Sequence, residues 1–225
     1  MRAADELEIR RDIVAACRSM NALGLTQGTS GNISVRLGAD LLITPSGLPY
    51  DEMRPEDVVR LRPDGTCDGD LKPSSEWRFH RDILQARPEV GAVVHAHPTH
   101  ATAFAICGRD IPAAHYMVAI AGGPSVRCAP YATFGTEALS RAALAALEDR
   151  TCCLLANHGT IATGPTLAKA MWIAVELETL CRQYAAALQV GEPRILPDEE
   201  IARVVELFRS YGPRSERTGS RDALP

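Results

Sequence analysis

GAVVHAHPTHATAFAICG, residues 91–108, carries three of the chain's six histidines. Its first part, GAVVHAH, is an apolar run with a glycine start and reads as a strand. PTHATAFAICG reads as a short helix, with Pro98 in the first turn, where a missing N–H costs nothing. A strand handing over directly to a helix is the local signature of an α/β or α+β domain. Strand side chains alternate, so His95 and His97 share one face. Two imidazoles on one face at a strand end are either a local accident or half of a metal site, and the spacing leaves both readings open.

Further elements extend on both sides. DELEIRRDIVAACRSMNALG (5–24) repeats apolar positions at helical spacing and stops on glycine. After the polar loop QGTSGNIS, the pieces ISVRL and LLITP bracket GAD as a hairpin, and VVRLRPDGTC reads as another strand and turn. A helix is expected from Ser74 or Ser75 through WRFHRDILQAR, with hydroxyl caps, Glu76 in the first turn and Pro88 as its stop. SVRCAPYA is strand-like, TEALSRAALAALEDR helical, and TCCLLANHG an apolar strand with a polar tip. PTLAKAMWIAVELETLCRQYAAALQVG is the longest helical pattern, and PDEEIARVVELFRSYG is the last helix. No repeat or linker divides the chain, so one domain spans 1–214, and the polar tail 215–225 is expected to be disordered. Hairpins alternating with helices predict a mixed sheet covered by helices rather than a purely parallel one. Neither GxGxxG nor GxxxxGK[ST] occurs, so no dinucleotide fingerprint or P-loop is supported.

Composition narrows the function. With 225 residues, 46% hydrophobic and 23% charged, the chain is an ordinary globular protein of net charge −4. Such a balance does not suit a non-specific nucleic-acid binder, though a locally positive pocket remains compatible with an anionic substrate. The charged start MRAADELEIRRD is unlike a secretory signal, and no apolar run reaches membrane-span length. Seven cysteines without a CxxC pair read as free thiols in a reducing compartment, so a cytoplasmic protein is expected.

His158, in LLANHG just past another apolar strand, meets His95 and His97 only if the two strand ends converge. Three imidazoles suit zinc and leave a coordination position for water or substrate. The alternative is strand-end histidines bonded to backbone or water. His100 falls about one turn beyond His97, as a supporting donor or a surface residue. His80 is four residues after Glu76 and is read as a partner for that carboxylate rather than as a ligand. GTSGN (28–32), TPSG (44–47) and KPSSE (72–76) offer hydroxyls and free N–H groups, the materials of an anion nest or simply of turns.

Taken together, GTSGNISVR, LLITPSGLPY, KPSSEWRFH, VVHAHPTH, IPAAHYMVAIAGG, CAPYATFGT, NHG and FRSYG resemble, in order across roughly residues 7 to 214, class II aldolases of the L-fuculose-1-phosphate aldolase type. That group also contains ribulose-phosphate 4-epimerases. The resemblance implies a single α/β domain with a central, mainly antiparallel sheet flanked by helices. It also implies one zinc per subunit and a four-fold symmetric homotetramer with active sites near the subunit interfaces. By the same resemblance His95, His97 and His158 are metal ligands. Glu76 binds the resting metal and leaves it to act as general base, and Asn32 lies beside the developing enediolate oxygen.

Phosphate is implied to bind at Gly31 with Asn32, Ser46 with Gly47, and Ser74 with Ser75. Tyr116 corresponds to a proton donor from a neighbouring subunit, and Tyr211 to a second tyrosine near the entrance. The activity implied is retro-aldol cleavage of a small phosphorylated sugar, L-fuculose 1-phosphate first. Neither nucleic acid nor membrane is an expected partner. The chain has only Lys72 and Lys169, which agrees with a metal-dependent rather than an imine-forming aldolase.

Rival readings keep the scaffold. A 4-epimerase of this group carries an extra aspartate and a late histidine, whereas no histidine follows His158 here. Methylthioribulose or deoxyribulose 1-phosphate aldolases differ only at the aldehyde end, where Phe134 and Phe208 are candidates for contact or for packing. A decarboxylase, or a zinc-stabilised structural oligomer, completes the set.

Overall fold

The computed structural model describes residues 3–210. Helix α1 (Ala3–Ala22) is followed by strands β1 (Asn32–Leu37), β2 (Asp40–Ile43) and β3 (Val59–Leu61). Helix α2 (Trp77–Ala86), β4 (Ala92–Ala96) and α3 (Thr99–Ile106) come next. The short strands β5 (Ile111–Pro112), β6 (Ser125–Val126) and β7 (Cys128–Ala129) precede α4 (Glu137–Ala146). The chain closes with β8 (Cys152–Leu155), β9 (Gly159–Gly164), α5 (Leu167–Val190) and α6 (Asp198–Ser210).

Seven strands form one sheet in the order β3-β2-β1-β4-β9-β8-β7, antiparallel throughout except for the parallel pair β7–β8. Strands β5 and β6 make a separate two-stranded ribbon. The sheet is mainly antiparallel and flanked by helices on both faces.

Alternation along the central strands divides the apolar side chains between two cores. Ile33, Val94, Leu154 and Ala162 pack with Ile13 of α1, Ala101 of α3, Leu177 of α5 and Ile201 of α6. Val93, Cys153 and Ile161 point the other way, onto Phe79 and Ile83 of α2 and Leu139 and Ala143 of α4. Each side chain of Val, Ile or Phe size buried in this way contributes about 1.5–3 kcal/mol. His95 follows Val93 by two residues, so it lies on the α2 side of the sheet and is 0% exposed.

Three features differ from what the sequence suggests. Residues 159–164, GTIATG, form the strand β9 between β4 and β8. The small residues that hide its strand signal are required by packing. A Cβ on Gly159 would lie 2.5 Å from the Ala96 carbonyl, and one on Gly164 2.7 Å from the Ala170 nitrogen. Helix α2 begins at Trp77 rather than at the serines. Ser74 instead accepts the Glu76 N–H through Oγ at 3.3 Å, closing a turn before the helix. The SVRCAPYA segment divides at Arg127 between β6 and β7, two strands of different sheets.

Candidate metal centre and active-site cleft

The register of the central strands builds the site. Asn32 stands directly opposite His95 across β1 and β4, and β9 pairs with the other edge of β4. A three-residue turn joins β8 to β9, with Asn157 in the left-handed region at φ 54° and His158 next to it. That turn brings His158 to the end of β4, and the candidate ligand atoms of His95, His97 and His158 all fall within 4.8 Å of one another. Gly159 lets the turn in closely, since a Cβ there would meet His97 Cδ2 at 2.5 Å.

Glu76 completes the group from the N-terminal end of α2, where its side chain makes no cap. One carboxylate oxygen, Oε2, lies 3.0 Å from His95 Nε2, and the other, Oε1, 3.1 Å from His158 Nε2. Oε1 is buried and lacks a partner in hydrogen-bond geometry. His95 Nδ1–H donates to the Thr160 carbonyl at 2.8 Å, which leaves Nε2 as a bare lone pair. That lone pair faces the Glu76 carboxylate and, at 2.8 Å, His97 Nε2. A bare lone pair and a carboxylate 3.0 Å apart are satisfied together by a shared proton or a cation. Three imidazoles beside a carboxylate are the donor set of a divalent transition metal.

Burial works to raise the Glu76 carboxyl, but His95 and His158 outweigh it and hold it well below the usual carboxylate range. His97 is lowered to about 4 by burial, reinforced by His95 and His158. His80 is lowered to about 3 by burial and His95, against the opposing pull of Glu76.

His80 does not pair directly with Glu76, as the helical spacing suggested. Its Nε2 contacts Asn32 Oδ1 at 2.5 Å, and Asn32 Nδ2 donates to Glu76 Oε2 at 3.0 Å. Its Nδ1 meets Ser34 Oγ at 2.7 Å. His100 likewise pairs with a carboxylate, Glu178 of α5 at 2.7 Å, and Glu178 also accepts the His100 and Ala101 N–H groups at the start of α3. His115 accepts the Met117 N–H at the start of a 3-10 helix, Tyr116–Ala121.

The three polar loops gather near the same end of the sheet. Ser46 N–H donates to the Lys72 carbonyl and Ser74 N–H to the Thr44 carbonyl, each at 2.9 Å, so TPSG and KPSSE lie side by side. Gly31 abuts β4, because a Cβ there would lie 2.9 Å from the His95 carbonyl, and its own carbonyl accepts the Tyr50 hydroxyl. Gly31 and Ser74 are buried, whereas Ser46, Gly47 and Ser75 are exposed. A cleft of about 340 Å³ opens onto Glu76, His97 and His158, with Tyr131, Phe134 and Asn157 on its walls.

Tyr116 stands apart from this cleft, with its ring 6.5 Å from Phe208 of α6. Tyr211 lies outside the described residues, as does the tail 215–225. Ser34, Thr160, Tyr131 and Asn157 are additions that the motifs did not single out. Ser34 carried one usable signal, its i,i+2 relation to Asn32 on the same strand face.

Comparison with known proteins agrees with this geometry. Residues 11–185 match the family model of the class II aldolase and adducin N-terminal domain. A 5-methylthioribulose-1-phosphate/5-deoxyribulose-1-phosphate aldolase of Rhodospirillum rubrum is 54% identical over 210 residues, covering 93% of this chain and 95% of that protein. An L-fuculose phosphate aldolase of Escherichia coli is 48% identical over 210 residues, covering 93% and 98%. A solved L-fuculose 1-phosphate aldolase structure superposes with a TM-score of 0.87 at 38% identity, covering 90% of this chain and 96% of the other.

Proposed function

The chain belongs to the class II aldolase and adducin N-terminal domain family, and we propose that it is a zinc-dependent aldolase cleaving a ketose 1-phosphate to dihydroxyacetone phosphate and a small aldehyde. The observation that carries this reading is the placement of Glu76. It is buried against His95 and His158 and hydrogen-bonded to Asn32, at the floor of an open cleft. A purely structural metal site would not need a cleft or an amide donor beside its carboxylate.

In this reading His95, His97 and His158, joined by Glu76, would hold the zinc. When bound, the zinc supplies Lewis-acid stabilisation of the negative charge that bond cleavage leaves on the ketone fragment. Glu76 takes the C4 hydroxyl proton. To accept that proton its carboxylate leaves the histidines and meets the substrate hydroxyl directly. Asn32 Nδ2 then donates to the developing oxyanion.

The substrate phosphate rests on N–H groups and hydroxyls from Gly31 with Asn32, Ser46 with Gly47, and Ser74 with Ser75. Of these hydroxyls, those of the exposed Ser46 and Ser75 are the accessible ones, while Ser74 already serves its own turn. Tyr116 serves as proton donor to a neighbouring subunit's cleft within a homotetramer, and Tyr211 is a second catalytic tyrosine by the resemblance alone. Free thiols at all seven cysteines, and the lack of any described helix long and apolar enough to cross a membrane, support placing the enzyme in the cytoplasm.

The aldehyde is the finer question. L-fuculose 1-phosphate is the substrate implied by the motifs, and the 54% identity to a methylthioribulose/deoxyribulose 1-phosphate aldolase favours a second candidate. Both candidates end in an apolar group, which suits Tyr131 and Phe134 on the cleft wall, each 63% exposed. The test is dihydroxyacetone phosphate release from L-fuculose, 5-methylthioribulose and 5-deoxyribulose 1-phosphates, with and without a chelator. Release that is abolished by chelator and restored by zinc is expected, and the fastest member names the aldehyde. No release from any member by zinc-loaded protein would refute the proposal.

A further inference from the structure

Ser34 and His80 lie behind the carboxylate, away from the cleft, and no step above uses them. Their hydrogen bonds can be oriented by elimination. An ionised Glu76 only accepts, so the amide nitrogen of Asn32 must be the atom 3.0 Å away. The amide oxygen then faces His80, whose Nε2 has to carry the proton across 2.5 Å. Nδ1 is left bare and accepts a hydrogen bond from the Ser34 hydroxyl at 2.7 Å. Ser34 and His80 are 0% exposed, and Asn32 and Glu76 are 5% exposed, so water does not substitute for any member of the chain. The imidazole is held flat against Phe79, with ring centroids 4.7 Å apart.

An isolated asparagine amide presents its oxygen or its nitrogen with little preference, yet only the nitrogen can donate to a developing oxyanion. Resting on the function proposed above, we infer that His80, supported by Ser34, is a positioning residue that locks the Asn32 amide with its N–H groups toward the reacting oxygen. When Glu76 leaves the histidines, the N–H it accepted from Asn32 is already aimed. His80 touches neither substrate nor metal in this arrangement and acts through Asn32.

His80→Phe, His80→Gln and Ser34→Ala are to be compared with the unsubstituted enzyme for kcat, KM and bound zinc. Phenylalanine keeps the stacked ring but removes the donor, and glutamine can return an N–H near the position of Nε2. We expect kcat to fall about 10- to 100-fold in His80→Phe, with zinc content unchanged and KM within about twofold. Recovery to within about fivefold is expected in His80→Gln, and a loss of about three- to tenfold in Ser34→Ala. A zinc-loaded His80→Phe enzyme with kcat within about twofold of the original would overturn the inference. Zinc lost in step with activity would do the same, since His80 would then support the metal site rather than the amide.

Should His80→Phe fail to fold, Ser34→Ala and His80→Gln decide the matter on the same criteria. Nitrogen-15 histidine spectra of the unsubstituted protein at neutral pH add a readout independent of turnover. They are expected to show His80 protonated on Nε2, and a proton on Nδ1 would overturn the lock. If the unsubstituted enzyme cleaves no ketose 1-phosphate, the proposed function fails while the tautomer still tests the amide lock.

Discussion

Glu76 and Tyr116 are both proposed to transfer protons, yet Glu76 is 5% exposed among three histidines while Tyr116 is 48% exposed on a 3-10 helix outside the cleft. Around Glu76 the chain supplies nearly everything itself. Histidines arrive from β4 and the β8–β9 turn, Asn32 from β1, and His80 from α2. Around Tyr116 the described residues supply a tyrosyl group beside His115 and Phe208. On the proposed reading, the metal half of the chemistry rests on the fold of a single chain, whereas the tyrosine half would need a neighbouring subunit.

The largest effect should come from removing a ligand at the self-sufficient end. His95→Ala is expected to abolish zinc binding and lower aldol cleavage by about a thousandfold or more, followed by metal analysis and the coupled assay. Stoichiometric zinc in that variant would break the assignment. Glu76→Gln comes next, with kcat lower by about 10²- to 10⁴-fold and the fold and phosphate affinity largely kept. Near-normal turnover would mean that another group is the base.

Tyr116→Phe should cost less, about 10- to 100-fold, and it allows the comparison itself to be tested. Each cleft is proposed to join Glu76 of one subunit to Tyr116 of its neighbour. Mixing Glu76→Gln and Tyr116→Phe chains before assembly should therefore return about a quarter of the unsubstituted activity. Loss of activity in Tyr116→Phe without complementation would place Tyr116 in the cleft of its own subunit.

The smallest effect is on stability. Burial lowers His80 to about 3, so the unfolded chain binds its proton more readily than the folded one. Stability from this group is therefore complete above about pH 6.5 and is lost, at up to about 1.4 kcal/mol per pH unit, as pH falls toward the lowered value. Metal-free protein should show a falling denaturation midpoint over that window, and a flat midpoint would contradict neutral burial of His80.

Much of the scaffold was legible because its signals are local. A strand ending in HAH places both imidazoles on one face through the two-residue period alone. The hairpin around GAD and the long α5 pattern are equally local. What escaped depends on register between distant segments. Nothing in NHG reveals that its turn closes onto β4, because β9 hides behind small residues chosen for close approach. His80 follows Glu76 by one helical turn, which suggested a direct pair. Asn32, arriving from β1, stands between them instead. The resemblance implied roles for His158, Glu76 and Asn32, but none for His80, for Ser34 or for the Glu178 cap on α3.

The sheet order also sets a timetable. Strands β1, β4 and β9 are neighbours at the centre of the sheet, yet residues 38–91 separate the first pair along the chain and residues 97–158 the second. Such distant pairings are slow to close, and synthesis releases them one at a time. A growing chain therefore exposes the HAH strand well before the β8–β9 turn exists to cap it. For that interval the nascent protein carries two of its three histidines without the third, and metal captured then would be held by an incomplete set. With the three histidines as the proposed ligands, full affinity would arrive only when the turn docks, and metal uptake would report completion of the central sheet.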